Sequence, residues 1–489
     1  MKKNEILEEI LAEVDKHPEI MSRRDAMKYL TMSPLAASVI ASATVGASTV
    51  SASNVKGKIV IVGGGLAGMS TAARINNTIS NADITVIEPD PISVSYQPGQ
   101  TLVGAGIWDQ SEIVYNRDDK LPSGVKLIKG AVTAFDPKNN KVTVDGSQEV
   151  SYDQMIIATG LMLNYAAIEG LDGVITSSGK DNAATRAKVG KNGVHSIYFA
   201  DGATDTYKGI QELIAKAKAH KGPEKLQAVF THPNTPIKCG GAPKKIMYLT
   251  NARLEEAGVK DKVELTFYPN GGKMFGVPEY HEAIVQQYKD RDFKWNYAHN
   301  LIKIDTDAKV ATFNHHWKEK GAWDEDLEEY GIELKSEEVE VPYDFIHVTP
   351  PMKAPDVVAN SKVGSSKGWV PVKKETLQHV KFKNVWCLGD VAAVPMGKTG
   401  GSARKQYKVV VDNMIASMEG NKLTSQYYGY TVCPLITSIG TVMLAEFNWT
   451  KKPTPMVPLD PTQERWIWWL LKVYALKPMT VMGMLSGRA

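Results

Sequence analysis

Cysteine is scarce in this 489-residue sequence: Cys239, Cys387 and Cys433 are all there are. Three cannot staple a small secreted scaffold. No CxxC pair marks a zinc site and no CxxCH attaches a c-type haem, so no metal is expected and cysteine chemistry must come from one pair or a single thiol. A charge imbalance is also lacking. The 57 Lys and Arg against 54 Asp and Glu leave +3, too little to argue for nucleic acid. With 43% hydrophobic and 23% charged residues, disorder and fibrous repeats are excluded. The length suggests two or three domains of roughly 150 residues. Forty glycines, slightly many, hint at backbone packed closely against a cofactor.

Between Lys28 and Lys56 no charge occurs, and the run is mostly Ala, Ser, Thr, Val and Gly. It is long enough to span a membrane but only weakly apolar. Before it stands Ser22-Arg23-Arg24-Asp25-Ala26-Met27-Lys28, which reads as a twin-arginine export motif. Residues 1–52 are therefore expected to be a cleavable leader, with Val50-Ser51-Ala52 as the cleavage site, and the mature protein to be periplasmic.

Lys58–Val62 is β-branched, as a buried parallel strand requires. It runs into Gly63-Gly64-Gly65-Leu66-Ala67-Gly68 and a helical pattern over Met69–Ile75. Gly63 suits the tight turn, Gly65 the approach of a pyrophosphate and Gly68 close helix–strand packing. The helix start offers N–H groups and a positive dipole end to phosphate. Ile84–Ile87 reads as the next strand and delivers Glu88 to the ribose hydroxyls. A dinucleotide site follows.

Downstream, Gln154–Leu161 with Ala158-Thr159-Gly160, and Val385–Cys387 leading into Gly389-Asp390, resemble the second and third FAD segments of flavoproteins with two dinucleotide domains. Such proteins carry a second GxGxxG between those segments. Here the strand-like Leu226–His232 leads instead into Pro233-Asn234-Thr235-Pro236-Ile237-Lys238-Cys239-Gly240-Gly241-Ala242-Pro243. A cysteine stands where the glycine turn would be. The sequence implies a flavoprotein not reduced by a nicotinamide.

Cys239 precedes an apolar-periodic stretch, Ala242–Leu254, with Pro243 in its first turn. A helix N-terminus and the lysines at 238, 244 and 245 favour the thiolate, the form that attacks a disulfide or a flavin. Cys433 lies in an apolar segment, Gly429–Leu435, and Cys387 inside a strand. On the residues alone, Cys239 and Cys433 could each be a buried structural cysteine, and Cys387 reads as one.

The run from Thr231 to Leu249 resembles the sulfide:quinone oxidoreductase family, in the branch that includes the mitochondrial enzyme. So do Tyr96-Gln97 with Thr101–Gly106, His347-Val348-Thr349-Pro350-Pro351-Met352, Tyr430–Thr437 and Leu444-Ala445-Glu446-Phe447. The resemblance spans about 57–485. It implies an α/β fold of two Rossmann-like dinucleotide-binding domains of the disulfide-reductase type. Residues 55–165 and 346–440 would be a discontinuous FAD domain, 166–345 a second domain carrying Cys239, and 441–489 a C-terminal segment.

The resemblance further implies that Cys239 and Cys433 form a redox-active disulfide. Sulfide attacks it at Cys433, and the Cys239 thiolate hands two electrons to the flavin for a quinone. FAD contacts carry over to Gly63, Gly64, Gly65, Gly68, Glu88, Gln97, Val132, Thr159, Gly160, Gly389, Asp390, Lys398, Thr399, Gly400 and Gly401. The last of these open a helix expected over Ser402–Met418, whose positive end would stabilise a reduced flavin. Met396–Ser402 also resembles flavocytochrome c sulfide dehydrogenase, which passes electrons to a cytochrome. That relative tethers its flavin through an early cysteine; none precedes Cys239, so FAD is expected to be non-covalent. A sulfur carrier or sensor remains a further alternative.

The C-terminal run from Glu464 to Leu485 holds Trp466, Trp468, Trp469 and Tyr474, with Lys472 and Lys477. Trp, Tyr and Lys beside an apolar face compose a helix lying in a membrane interface. The alternative is a helix docked on the protein's own core or on a second copy. Interface contact would bring the enzyme to quinone, and homo-oligomerisation is left open.

Overall fold

The computed structural model describes residues 53–90, 92–93, 96–176, 183–325 and 328–489. The expected leader, 1–52, lies outside them. The chain forms two compact units. One comprises the described residues up to Gly99 with Ser111–Leu161 and Lys353–Ala489; the other comprises the described residues of Gln100–Gln110 and Met162–Met352.

In the first unit five parallel strands run in the order Val385–Cys387, Gln154–Ile157, Lys58–Val62, Asp83–Ile87, Lys126–Ile128. Ile59 to Val62 and Met155 to Ile157 are all buried, as a sheet covered on both faces demands. The helix after the glycine turn spans Leu66–Thr78, longer than its apolar pattern. The late helix is Gly400–Met418, and Arg74 Nη2 of the first reaches Asp412 Oδ1 of the second at 2.8 Å. Cys387 is fully buried in its strand, and burial pushes its thiol pKa up.

The second unit repeats the plan. Val194–His195, Phe345–His347, Leu226–His232, Val263–Pro269 and Lys294–Trp295 form a parallel sheet in that order. Helices Ala200–Ala219, Ala242–Glu256 and Pro278–Asp290 connect its strands. An antiparallel meander of His299–Asp305, Val310–Asp324 and Glu329–Pro342 lies between strand Lys294–Trp295 and the return to Phe345.

The C-terminal part of the first unit departs from the interface-helix composition. Helical turns run from Trp466 to Met484, in part with wide π-type hydrogen bonding. Trp468, Trp469 and Tyr474 are buried, and so are both lysines, Lys472 at 0% and Lys477 at 8% exposure. Lys472 Nζ donates to the Pro98 carbonyl at 2.7 Å, and Lys477 pairs with Glu112. The headgroup role expected of these side chains is therefore corrected: five of the six groups face the protein. Trp466 stays exposed, with Ile467, Leu471, Leu476 and Met479 half-covered. No helix among the described residues is long and apolar enough to cross a membrane.

Candidate functional site

In the first unit the glycine turn is shaped by two close approaches. Gly63 sits at φ +104°, and a Cβ there would lie 2.4 Å from the Ala158 carbonyl oxygen. At Gly68 a Cβ would stand 1.9 Å from the Gly63 oxygen. Only glycine fits either position. This turn packs directly on the Ala158-Thr159-Gly160 segment.

Around Gly65 and Gly160, in contrast, the space where a Cβ would point is empty to 4 Å. Helix Leu66–Thr78 begins with no side-chain cap, leaving its first N–H groups to a ligand. The Thr159 hydroxyl is buried and makes no hydrogen bond within the protein, a state that polar groups rarely tolerate unless a ligand or water completes them. Gly389 approaches Ala67, Lys398 Nζ donates to the Asp390 carbonyl, and Gly400 stands near Leu66. The expected segments thus converge on one cradle, and its residues fit an FAD. Gln97 opens the single turn Gln97–Gly99, and Val132 opens strand Val132–Asp136; both are half-buried.

Glu88 directly follows strand Asp83–Ile87, with both carboxylate oxygens engaged. Oε2 accepts from Gly64 N–H at 2.8 Å and Oε1 from Asp90 N–H at 3.0 Å. Each oxygen keeps a second lone pair for a ribose hydroxyl. Arg117, buried and with Nη2 3.8 Å from Glu88, donates through Nε to the Asp90 carbonyl. Burial lowers its pKa, against the pull of Glu88, Asp90 and Asp118. No sequence motif points to Arg117, which lies in a loop remote from both motifs.

Helix Gly400–Met418 is capped by Thr399, whose side chain accepts from Ser402 N–H at 3.2 Å. Gly401 matters for a neighbour, since a Cβ would come within 2.2 Å of Val432 Cγ1. That contact seats strand Thr431–Ser438 on the helix start, and Ser402 Oγ donates to the Tyr430 carbonyl at 3.1 Å. Cys433, at 4% exposure, lies opposite Ala445 of strand Thr441–Phe447. Next to it Glu446 is 1% exposed and accepts from the Tyr430 hydroxyl at 2.5 Å and from Met456 N–H at 3.0 Å. Desolvation raises its pKa, although these bonds, Arg404 and Lys405 oppose the shift. A lone acid in an apolar strand was the sequence signal for this group, and no role was drawn from it.

In the second unit, Cys239 ends the loop that follows strand Leu226–His232. It is half-buried and holds φ at +53°, a left-handed conformation unusual for a residue with a Cβ. Its carbonyl accepts from Ala242 N–H at 2.8 Å, at the start of helix Ala242–Glu256. Lys245, 2% exposed, places Nζ 3.3 Å from Cys239 Sγ. Lys238 and Lys244 are buried as well. Their Nζ atoms reach the Tyr198 and Gly240 carbonyls, each at 3.4 Å.

The loop is tied to the His347–Met352 segment. Thr349 N–H donates to Thr231 Oγ1 at 3.0 Å, Met352 N–H to Thr235 Oγ1 at 2.8 Å, and Lys238 N–H approaches Met352 Sδ at 3.2 Å. Ile197 N–H donates to His347 Nε2 at 3.2 Å, so His347 is neutral with its proton on Nδ1. Burial pushes its pKa down to about 3. The Cys387 thiol is free.

The family model described as pyridine nucleotide-disulphide oxidoreductase matches residues 57–195. A mitochondrial sulfide:quinone oxidoreductase of Dictyostelium discoideum is 36% identical over 433 residues, covering 88% of this chain and 86% of that one. The mouse mitochondrial enzyme is 35% identical over 415 residues, covering 85% and 83%. The chain belongs to the sulfide:quinone oxidoreductase family. In fold it is similar to the sulfide:quinone oxidoreductase of Aquifex aeolicus, with a TM-score of 0.66 at 20% identity over 88% of this chain and 92% of that one.

The family's sequence relatives correct one expectation. The periplasmic placement by a twin-arginine leader is overturned, because the Dictyostelium and mouse relatives are mitochondrial proteins. Arg23-Arg24 before a weakly apolar run is a short signal, and side-chain chemistry alone does not tie it to one translocation route.

Proposed function

We propose that this chain oxidises sulfide to sulfane sulfur with Cys239 and Cys433 as the reactive pair, and that the electrons pass through bound FAD to a quinone. Family membership supports the reaction class. The observation that carries the assignment of roles is the Lys245 ammonium 3.3 Å from Cys239 Sγ. A thiol beside a fixed cation is the better leaving group from a disulfide and stays ionised afterwards.

Hydrosulfide then attacks Sγ of Cys433. A sulfur–sulfur bond forms there, the bond to Cys239 breaks, and Cys239 departs as a thiolate facing Lys245. Sulfide sulfur is thereby oxidised to the sulfane level. FAD, when bound, supplies the two-electron acceptor and the link to quinone. The glycines at 63, 64, 65 and 68 and the Leu66–Thr78 helix start would hold its pyrophosphate. Glu88 would take the ribose, and Thr159, Gly160, Gly389, Asp390 and the Lys398–Gly401 turn the flavin end, with Gln97 and Val132 completing the cradle. Cys433 finally releases its sulfane sulfur to a nucleophilic acceptor and the disulfide re-forms.

In this reading the FAD domain, expected over 55–165 with 346–440, corresponds to the first unit, and the domain carrying Cys239, expected over 166–345, to the second. Membrane contact is assigned to the outward residues Trp466, Ile467, Leu471, Leu476 and Met479 of the segment 441–489, with Lys472 and Lys477 turned inward. The test is mass spectrometry of protein treated with sulfide and then alkylated. One additional sulfur atom on the peptide containing Cys433, lost in Cys239→Ser, supports the reading. A sulfur found on Cys239 instead would reverse the roles.

A further inference from the structure

Strand Glu329–Pro342 lies at the edge of its three-stranded sheet, bonded on one side to Val310–Asp324. Its alternate residues Tyr330, Ile332 and Leu334 are 49%, 67% and 79% exposed. They are three of the seven large apolar side chains exposed among the described residues, gathered in five positions. Proteins ordinarily blunt such edges with proline, bulges or inward charges. Proline here comes only at the last position, 342, and the register irregularity against Tyr330–Ile332, between Lys320 and Trp323, belongs to the inner neighbour strand.

We propose that this edge pairs antiparallel with the same edge of a second copy, with the two-fold axis passing Ile332. The warrant is self-complementarity in register. About an axis normal to the sheet, opposed positions share a face and have a constant, even sum. With the axis at Ile332, that residue meets the partner subunit's Ile332, and Leu334 meets the partner subunit's Tyr330 on both sides. Position 335, a lysine, falls opposite position 329, a glutamate, and Glu333 falls opposite glycine. An axis at 333 would oppose Glu333 to itself, and one at 335 would oppose Lys335 to itself. An axis at 334 pairs Glu333 with Lys335, but sets Tyr330 against Glu338 and Ile332 against Ser336. Only Ile332 puts apolar on apolar and opposite charges together, the pairings that stabilise adjacent strands.

Exposed Glu333, Glu337, Glu338 and Glu340 make the strand a poor partner for anionic lipid. Within the copy, Lys318 and Lys320 pair with Leu334 and Ile332, and Lys320 Nζ stands 3.1 Å over the Tyr330 ring. Seven opposed positions a side are fewer than the 20–30 residues a side of a standard interface. The dimer is therefore concentration-dependent.

Light scattering of the full-length, detergent-solubilised protein across a concentration series tests this, with circular dichroism to verify folding. Wild type should approach dimer mass. Ile332→Glu should stay monomeric, because two carboxylates would meet at the axis. Lys335→Glu should weaken association about tenfold, and Lys335→Glu combined with Glu329→Lys should restore it. On oxidation Ile332→Cys should cross-link two copies. Leu334→Cys should not, since its two copies would stand about 13 Å apart along the strands, beyond disulfide reach. Efficient cross-linking by Leu334→Cys, or failure of the charge exchange to restore the dimer, would overturn the proposal. So would an Ile332→Glu variant of unchanged mass that no longer binds phosphatidylcholine vesicles, which would give the edge to lipid.

Discussion

Replacing Lys245 by methionine removes the ammonium 3.3 Å from Cys239 Sγ while keeping most of the side-chain volume in a site only 2% exposed. At that distance and an effective dielectric of about 20, the attraction between thiolate and ammonium is about 5 kcal/mol. Part is recovered in the variant, because Lys238 and Lys244 remain buried nearby. A net loss of about 2–3 kcal/mol corresponds to roughly 30–150-fold less thiolate at a pH where the wild-type group is only partly ionised. The assay is the rate of Cys239 alkylation by iodoacetamide in reduced protein, read on the Cys239 peptide and compared on the acid limb of its pH profile, where the wild-type thiolate is the minor form. Lys245→Met should slow it by that factor, and Lys245→Arg should restore most of it. An unchanged rate in Lys245→Met would refute the idea that this lysine holds the thiolate. An equal loss in Lys245→Arg would point to packing instead of charge.

Cys239→Ser and Cys433→Ser should each abolish sulfide-dependent flavin reduction, read by absorbance. Cys387→Ser should retain it and lose about 1–3 kcal/mol of stability in urea unfolding, since it leaves a fully buried hydroxyl. Gly401→Ala should cost about 1–3 kcal/mol and blunt reaction at Cys433 more than at Cys239, because the new methyl meets Val432 at 2.2 Å; equal alkylation of both would contradict this. Glu446 binds a proton more readily folded than unfolded, so its contribution to stability falls as pH rises above about 4.5. Glu446→Gln should flatten the decline in urea midpoint between pH 4.5 and 7, and an unaltered slope would remove Glu446 from that role. Trp466→Ser with Leu476→Ser should reduce vesicle binding severalfold while sulfide still reduces the flavin.

Much of the cofactor cradle was readable because its chemistry is local. A β-branched run, glycines at fixed spacing and an acid at the end of the next strand each follow from a neighbour's geometry, and Lys58–Val62 matched its expected bounds. Helix starts were less legible: Leu66 and Gly400 belong to helices whose glycine-rich beginnings lack apolar periodicity. Gly401 is expected at the flavin only through the family resemblance, and its closeness to Val432 is a tertiary fact. The C-terminal lysines misled because composition does not state direction. Lys472 and Lys477 beside tryptophans suit a membrane surface and equally a buried pairing with the Pro98 carbonyl and Glu112. Arg117 was invisible for the same reason, its partners being distant in sequence.

Anaerobic titration of the purified protein with sulfide, followed by a soluble quinone, tests the central claim most directly. The account predicts that the oxidised flavin absorbance bleaches with about one equivalent of sulfide and returns when quinone is added, and that NADH cannot replace sulfide. A flavin that stays oxidised under excess sulfide, or one bleached by sulfide that quinone fails to reoxidise, would contradict it.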